Sequence, residues 1–331
     1  MTRPVLTREQ LNRATLARQL LLERSTMGVV EAVGRLAAVQ AQDSVGPYHS
    51  LFARLEGFDR AELTEQITAR RVLIGSLHRL TIHMVTAVDY PWIRATLASM
   101  LETRSRARTT LSHVDLDRLS RRAVAGLPAR LPDLRRLAPD EDPIHVGTFL
   151  QAHLPLVRVP PAGVWRVGGS PVQELAAVGQ PDVPRLVRSY LAAYGPAGVR
   201  DAQTWSGMTR LGPVFDRLHD LVQFEAEDGT VLYDLADAPR PPADTPAPVR
   251  FLGRFDNLLL GHADRTRVIP AGLPTMGVVG APAVLVDGMV AGSWEWDGVD
   301  VTVTPKPSGR WPRREVEAER RRLRDWLGAE P

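Results

Sequence analysis

Apolar positions along the chain follow two alternating periods, and the alternation divides it into groups of helices that each end in strands. Thr7 and Gln10 have the spacing of a capping box, and Leu11, Ala14, Ala17, Leu20 and Leu21 follow at helical intervals. Val29, Val33, Leu36 and Ala37 predict a second helix whose stripe continues to Gln40 and which stops near Asp43-Ser44. Gly46-Pro47 opens a third, and Asp59 caps a fourth that runs to about Arg70. The period then shortens to two. Over 77–85, Leu80, Ile82 and Met84 alternate with Arg79, Thr81 and His83, which predicts a half-buried strand carrying three functional groups on its polar face. Short helices followed by a strand pair make a winged helix, a helix-turn-helix variant.

The order recurs. A long helix is predicted from Asp89-Tyr90-Pro91 to Arg108. Helices at 115–126 and 143–153 precede a strand pair at 157–167, turned by Pro160-Pro161-Ala162-Gly163. Helices at 183–194, 199–205 and 212–218 precede a hairpin of 221–224 and 231–235 around Asp228-Gly229. Five prolines within 236–249 mark a linker or surface loop. Strands at 283–286, 290–296 and 299–304, a basic loop at 306–314 and an amphipathic helix at 315–327 complete the chain. The expected fold class is α+β: tandem winged-helix (helix-turn-helix) motifs with a C-terminal β-rich region. The expected units are 1–110 (first winged helix plus the long helix), 111–180 (second), 181–236 (third), 237–249 (linker) and 250–331 (β-rich region and terminal helix).

Composition excludes several kinds of chemistry. Of 331 residues none is Cys, so disulfides, thiol nucleophiles and thiolate metal sites are impossible. Ordinary hydrophobic (44%) and charged (24%) contents describe a folded chain, no stretch has the length of a membrane span, and the N-terminus lacks the order of a signal peptide. A cytoplasmic, nucleoid-associated protein with no membrane partner is expected. Forty of the 41 basic residues are Arg, which fits a GC-rich genome; their placement is more telling. Between Arg94 and Arg136 ten Arg face four acidic residues, and 305–325 carries eight basic against four acidic, while the stretch around 225–237 is acidic. The modest net charge of +3 therefore hides basic regions suited to a polyanion.

The chemistry-bearing motif is Gln40-Ala41-Gln42. Gln40 continues an apolar stripe, so its amide should face protein or a cleft, and a buried amide without partners costs about 1–3 kcal/mol. Taken alone, the motif favours a structural glutamine at a helix end. Val39-Gln40-Ala41-Gln42-Asp43, however, resembles the Gln-x-Gln motif of the AlkZ/YcaQ family of DNA glycosylases, which are built from tandem winged helices. Further blocks resemble the family in order: 79–85, Tyr194-Gly195-Pro196-Ala197 with Asp201 and Trp205, Phe255-Asp256 with Gly261, Asp264 and Arg265, and Val286-Asp287-Gly288 with Gly292 and Trp294. Gln at position 42 is similar to the AlkZ branch, where the YcaQ branch is expected to carry Asp.

The resemblance implies a monofunctional glycosylase that hydrolyses the N-glycosidic bond of N7-alkylated purines, including bulky natural-product adducts and interstrand crosslinks, with self-resistance as an expected role. It makes Gln40 and Gln42 the catalytic pair. An N7-alkyl purine already carries positive charge, so its glycosidic bond is weak and needs no general acid. A neutral amide can hold a water below C1′ and turn its carbonyl dipole toward the developing oxocarbenium-like charge. No Lys near the motif offers Schiff-base chemistry. Candidate DNA- or lesion-binding residues are Arg79, Thr81 and His83, which are equally a solvated wing face, and Lys306, Arg310, Arg313 and Arg314 beside Trp311, which are equally a terminal charge run. His78 and His83 differ in strand parity and should face opposite sides, and the eight His show no metal-ligand spacing. No metal is expected, and the lack of phosphate-loop and dinucleotide fingerprints predicts no cofactor. The expected partner is double-stranded DNA bearing alkylated purines, bound by a monomer. The competing reading is a non-catalytic winged-helix protein that shields damaged DNA or regulates transcription.

Overall fold

The computed structural model describes residues 3–306 and 311–329. The first strand and helix are β1 (Val5–Leu6) and α1 (Arg8–Arg18). Both halves of the capping box form, Gln10 N donating to Thr7 Oγ1 and Thr7 N to Gln10 Oε1. Then come α2 (Val29–Arg35), β2 (Val39–Gln40), α3 (Gly46–Arg54), α4 (Arg60–Thr68), β3 (Val72–Ser76), β4 (Ile82–Thr86) and the long α5 (Tyr90–Arg108). The second group is α6 (Leu116–Ala125), β5 (Ala129–Arg130), α7 (Leu131–Arg135), α8 (Pro143–His153), β6 (Leu156–Arg158) and β7 (Val172–Leu175). The third is α9 (Val183–Tyr194), α10 (Val199–Ser206), α11 (Gly212–Arg217), β8 (Leu221–Ala226) and β9 (Val231–Leu235). The C-terminal region holds β10 (Arg250–Leu252), α12 (Thr275–Val279), β11 (Ala283–Val286), β12 (Met289–Trp296), β13 (Val301–Pro305) and α13 (Arg313–Gly328). Helix groups closed by β-hairpins and followed by a four-stranded sheet are the α+β, tandem winged-helix arrangement expected.

The sheets bind these groups together more closely than the linear pattern suggests. Strands of the first two groups make one six-stranded sheet, in the order β2-β4-β3-β6-β7-β5. The join is at Gly75, opposite Val157. A Cβ on Gly75 would lie 2.7 Å from the Leu156 carbonyl, so only glycine allows the strands to meet there. The second strand of the 156–175 pair begins at Val172, later than the 157–167 pair predicted. The Pro-Pro segment and residues 161–171 form an irregular excursion because Pro cannot contribute to the ladder. β1 adds to β8 in parallel, giving a three-stranded sheet with β9. Antiparallel β10 to β13 form the last sheet.

Packing explains where the site sits. One core joins α2, α3 and α4 to the C-terminal sheet and α13 through Leu51, Phe52, Phe251, Trp294 and Leu323. Another gathers α5 and α9 to α11 around Tyr190, Tyr194 and Trp205. The proline-rich segment lies against α1, where Arg18 donates to the Pro239 carbonyl and Arg13 to that of Thr245. Two fully buried ion pairs tie distant parts: Arg18 to Asp234, and Arg54 to Asp256. Among the described residues no helix is long and apolar enough to cross a membrane.

Candidate active site

Gln40 is not on a helix. The stripe predicted to reach it breaks after Arg35, because Leu36 caps α2 and Ala37 takes a left-handed backbone (φ 63°). The chain leaves extended, and buried, β-branched Val39 pairs with Met84 while Gln40 pairs with His83. The 3.6-residue spacing of Val29 to Gln40 thus described core-facing positions correctly and the helix as far as Arg35, and it failed only beyond, since burial alone does not distinguish a helix end from a short inner strand. The strand ends at Gln40, and Gln42 follows two residues on in a bend. Gln40 is half-buried and Gln42 exposed.

Two contacts fix this segment from far along the chain. Asn257, in the 3-10 turn Asn257–Leu259, accepts the Gln40 N–H through Oδ1 at 3.0 Å and donates through Nδ2 to the Ala38 carbonyl. One carboxamide therefore straddles Val39 and does the work of a missing strand neighbour. The turn is itself anchored, for Asp256 takes both Nη atoms of buried Arg54, at 2.8 and 2.7 Å, and its Oδ1 caps Leu258 N. On the other edge, Ala41 N donates to the Ile82 carbonyl at 2.9 Å. The return bond goes elsewhere, since Ile82 N donates to Gln42 Oε1 at 3.3 Å and the Ala41 carbonyl meets Arg158 Nη1 at 3.5 Å. Gln42 has its oxygen engaged and its amide nitrogen left as a donor.

The polar strand face predicted over 77–85 does not exist as a face. A 3-10 turn, His78–Leu80, interrupts it before β4, with Arg79 and Leu80 both at φ 59°. Two successive left-handed residues other than glycine cost about 1–2 kcal/mol each, and such strain collects at functional sites. The turn is closed by Leu77 N to Thr81 O, Thr81 N to His78 O and Thr81 Oγ1 to His78 O. Thr81 thus serves the turn. Arg79 is swung away from the strand: Nη1 donates to the Trp205 carbonyl and Nη2 lies 3.5 Å from Gln40 Oε1. Of the three residues on the expected face, Arg79 is the one that reaches a catalytic candidate.

His83 stays in β4 but is 3% exposed, and its Nδ1 lies 2.9 Å from the Thr81 carbonyl. A carbonyl can only accept, so Nδ1 carries the proton. The same interruption overturns the parity argument for His78, whose ring meets that of His83 at 5.2 Å, edge to face, and Trp205 at 4.1 Å. Burial, with Arg79 adding, brings His83 down to about 3, and burial, with His83 and Arg79 adding, takes His78 well below the ordinary range. Both imidazoles are neutral near pH 7. Burial also lowers Arg79 to about 10; Tyr194 opposes this shift, while Arg104 and Arg265 add to it. The guanidinium remains charged at neutral pH.

The C-terminal basic residues lie apart from this group. Lys306 extends the β12–β13 ladder through its N–H to the Ala291 carbonyl, and Arg313 and Arg314 are exposed in the first turn of α13. Arg310 falls outside the described residues. Trp311 is packed rather than free to probe a groove: a Cβ on Gly292 would come within 3.0 Å of its ring. A cavity of about 490 Å³, lined in part by Arg200, Asp201, Asp264 and Arg267, contains neither glutamine. Asn257 was missed from sequence because it acts across 217 positions, and its only signal is its place directly after the Phe255-Asp256 block.

A family described as DNA glycosylase AlkZ-like matches residues 33–326. A curated relative, an interstrand DNA cross-link repair glycosylase of Streptomyces sahachiroi, is 26% identical, with 91% of each chain covered. A solved structure, the Streptomyces sahachiroi DNA glycosylase AlkZ, superposes with a TM-score of 0.76 at 22% identity, covering 98% of this chain and 97% of that one.

Proposed function

Because the chain belongs to the AlkZ-like family of DNA glycosylases, we propose that this hydrolase excises N7-alkylated purines from double-stranded DNA, with Gln40 and Gln42 as its catalytic residues. The observation that carries this reading is the way Gln40 is held: its backbone by Asn257 and His83, its carboxamide oxygen beside Arg79. A residue fixed so closely, yet only half-buried, suits the positioning of a small ligand. Gln42, two residues on and held through its oxygen by Ile82 N, offers an amide donor.

In the reaction, a water held between the two carboxamides forms a bond to C1′ as the N9–C1′ bond breaks. The electron pair passes to N9 and neutralises the cationic purine, and the water's proton leaves to solvent. No acid need protonate the base, which agrees with the neutral state of His83 and His78. Neutral amides contribute orientation and dipoles and no basicity, so selectivity for already cationic bases follows from the chemistry of the pair. Arg79, Arg313 and Arg314 bind phosphate in this reading, and His83 and Thr81 support the turn that aims Arg79. Bulky adducts and interstrand crosslinks are the proposed range, by analogy with the cross-link repair glycosylase above. The protein would act as a cytoplasmic monomer, with the five sequence units as its working parts.

The test is base release from duplex DNA containing N7-methylguanine or a bulky N7 adduct. Abasic sites should form with the wild type and be lost in Gln40→Ala and Gln42→Ala. Tight DNA binding with no release from any N7 adduct would replace the enzyme with the shielding or regulatory DNA binder.

A further inference from the structure

Arg79, Arg104 and Arg265 come from three separate parts of the chain: the strained turn, the C-terminal half of α5 and the loop after the 3-10 turn at Asn257. All three are half-buried. Gly207, at φ 82° after α10, is the point of contact between two of them. A Cβ there would lie 3.1 Å from Arg79 Cα and 3.2 Å from Arg104 Nε. Arg104 and Arg265 are both near enough to Arg79 to disfavour its charge, and the Arg265 Nε is buried without a partner. Among the described residues no carboxylate lies within ion-pair distance of any of the three. Carboxylate partners are supplied within the chain to other arginines, Asp234 to Arg18, Asp256 to Arg54 and Glu174 to Arg70. Arg79 thus sits between two further cations with no carboxylate beside it, and guanidinium forks are suited to tetrahedral oxyanions.

We propose that Arg79, Arg104 and Arg265 form a single anion site beside Gln40 that takes one DNA phosphodiester, the phosphate adjoining the nucleotide whose sugar faces Gln40. The inference rests on the reading that Gln40 faces that sugar. It explains why a positive cluster is kept together at a strained turn: the phosphate supplies the missing negative charge, and its fixed position sets the sugar's distance from the glutamines.

The experiment uses duplex DNA with a tetrahydrofuran abasic analogue, in which each phosphate flanking the lesion is replaced in turn by an uncharged methylphosphonate. Binding is measured over a range of salt for the wild type, Arg104→Gln and Arg265→Gln, alongside melting of the free proteins and titration with inorganic phosphate. One methylphosphonate position should weaken wild-type binding about tenfold or more, and the same substitution should cost the variants little. Each variant should lower the slope of log K against log salt by about one. The free variants should melt at or above the wild-type temperature, since repulsion is relieved. Variants that melt lower and show no coupling to any phosphate position would overturn the proposal and make the arginines structural. Stabilisation by inorganic phosphate with unchanged DNA binding by the variants would overturn it in favour of a free-anion site. Base release from N7-methylguanine, followed in parallel, separates the two readings. Release without phosphate coupling removes only the anion site, and coupling without release removes only the excision reading.

Discussion

Replacing Asn257 with alanine leaves two backbone groups without partners, the Gln40 N–H and the Ala38 carbonyl. Ala38 is 2% exposed, so water does not readily replace the lost donor, whereas the half-buried Gln40 can recover part of its loss. At about 1–3 kcal/mol for each unsatisfied group, less the water that reaches Gln40, the expected destabilisation is roughly 2–4 kcal/mol. For a chain of this size that lowers the melting temperature by about 3–6 °C. The catalytic effect has a separate origin. The strand keeps its pairing to β4 but loses the clamp on its other edge, so Gln40 can shift relative to C1′. A displacement near 1 Å costs about 10²-fold, and single-turnover base release should fall roughly 10- to 100-fold, with KM within about threefold. Asn257→Asp keeps an acceptor for Gln40 N but turns an oxygen against the Ala38 carbonyl. It should be as unstable as the alanine variant and yet recover part of the rate. Assayed well below its melting temperature, an Asn257→Ala protein that releases base within twofold of wild type would refute the positioning role and leave only a structural one.

Acid should destabilise the protein early. His78, His83 and His262 are buried and His49 half-buried, with pKa values lowered first by desolvation, His49 to about 4 and His83 and His262 to about 3. Their full contribution is present above about pH 6.5, where folded and unfolded forms are both neutral. It is lost as pH falls from there toward 4, because the unfolded chain binds the protons. Each contributes about 1.4 kcal/mol per pH unit, so denaturant titrations between pH 6 and 5 should show uptake of about four protons on unfolding; an uptake near zero would contradict the burial of these rings. Asp256→Ala leaves Arg54 charged and buried and should cost about 3–5 kcal/mol in a denaturant series; replacing Arg54 and Asp256 together with apolar residues should recover most of it. Gly207→Ala forces a Cβ against Arg79 at a positive φ and should cost about 1–2 kcal/mol, with weaker DNA binding in a fluorescence titration as Arg79 is displaced.

Much of this molecule was readable in one dimension. The capping box at Thr7, the N-cap at Asp59, the Pro-started helix at Tyr90 and the Asp-Gly hairpin at 228–229 are local devices, in which partners three or four residues apart decide the backbone. The order of helices and hairpins gave the winged-helix class for the same reason. The glutamine pair was legible as a motif, although its placement was not. Whether Val39-Gln40 prolongs a helix or pairs as a strand depends on β4 and on Asn257, and no window around residue 40 contains either.

The tertiary structure alone decided the rest. The alternation over 77–85 suggested a continuous strand, but contacts with Trp205 and the closing bonds of Thr81 favour a strained turn that local propensity opposes. That turn moves Arg79 off the strand toward Gln40 and brings His78 to His83. The sequence by itself determined which residue types are available for chemistry: no thiol, one Lys, and two amides side by side with arginines in plenty. Which arginine stands next to which amide, and without a carboxylate to neutralise it, is a matter of distance between segments tens of residues or more apart, as Arg79 and Gln40 are. Hydrophobic packing of α5, α9 and α10 sets that distance, and it is additive over many contacts that no short motif records.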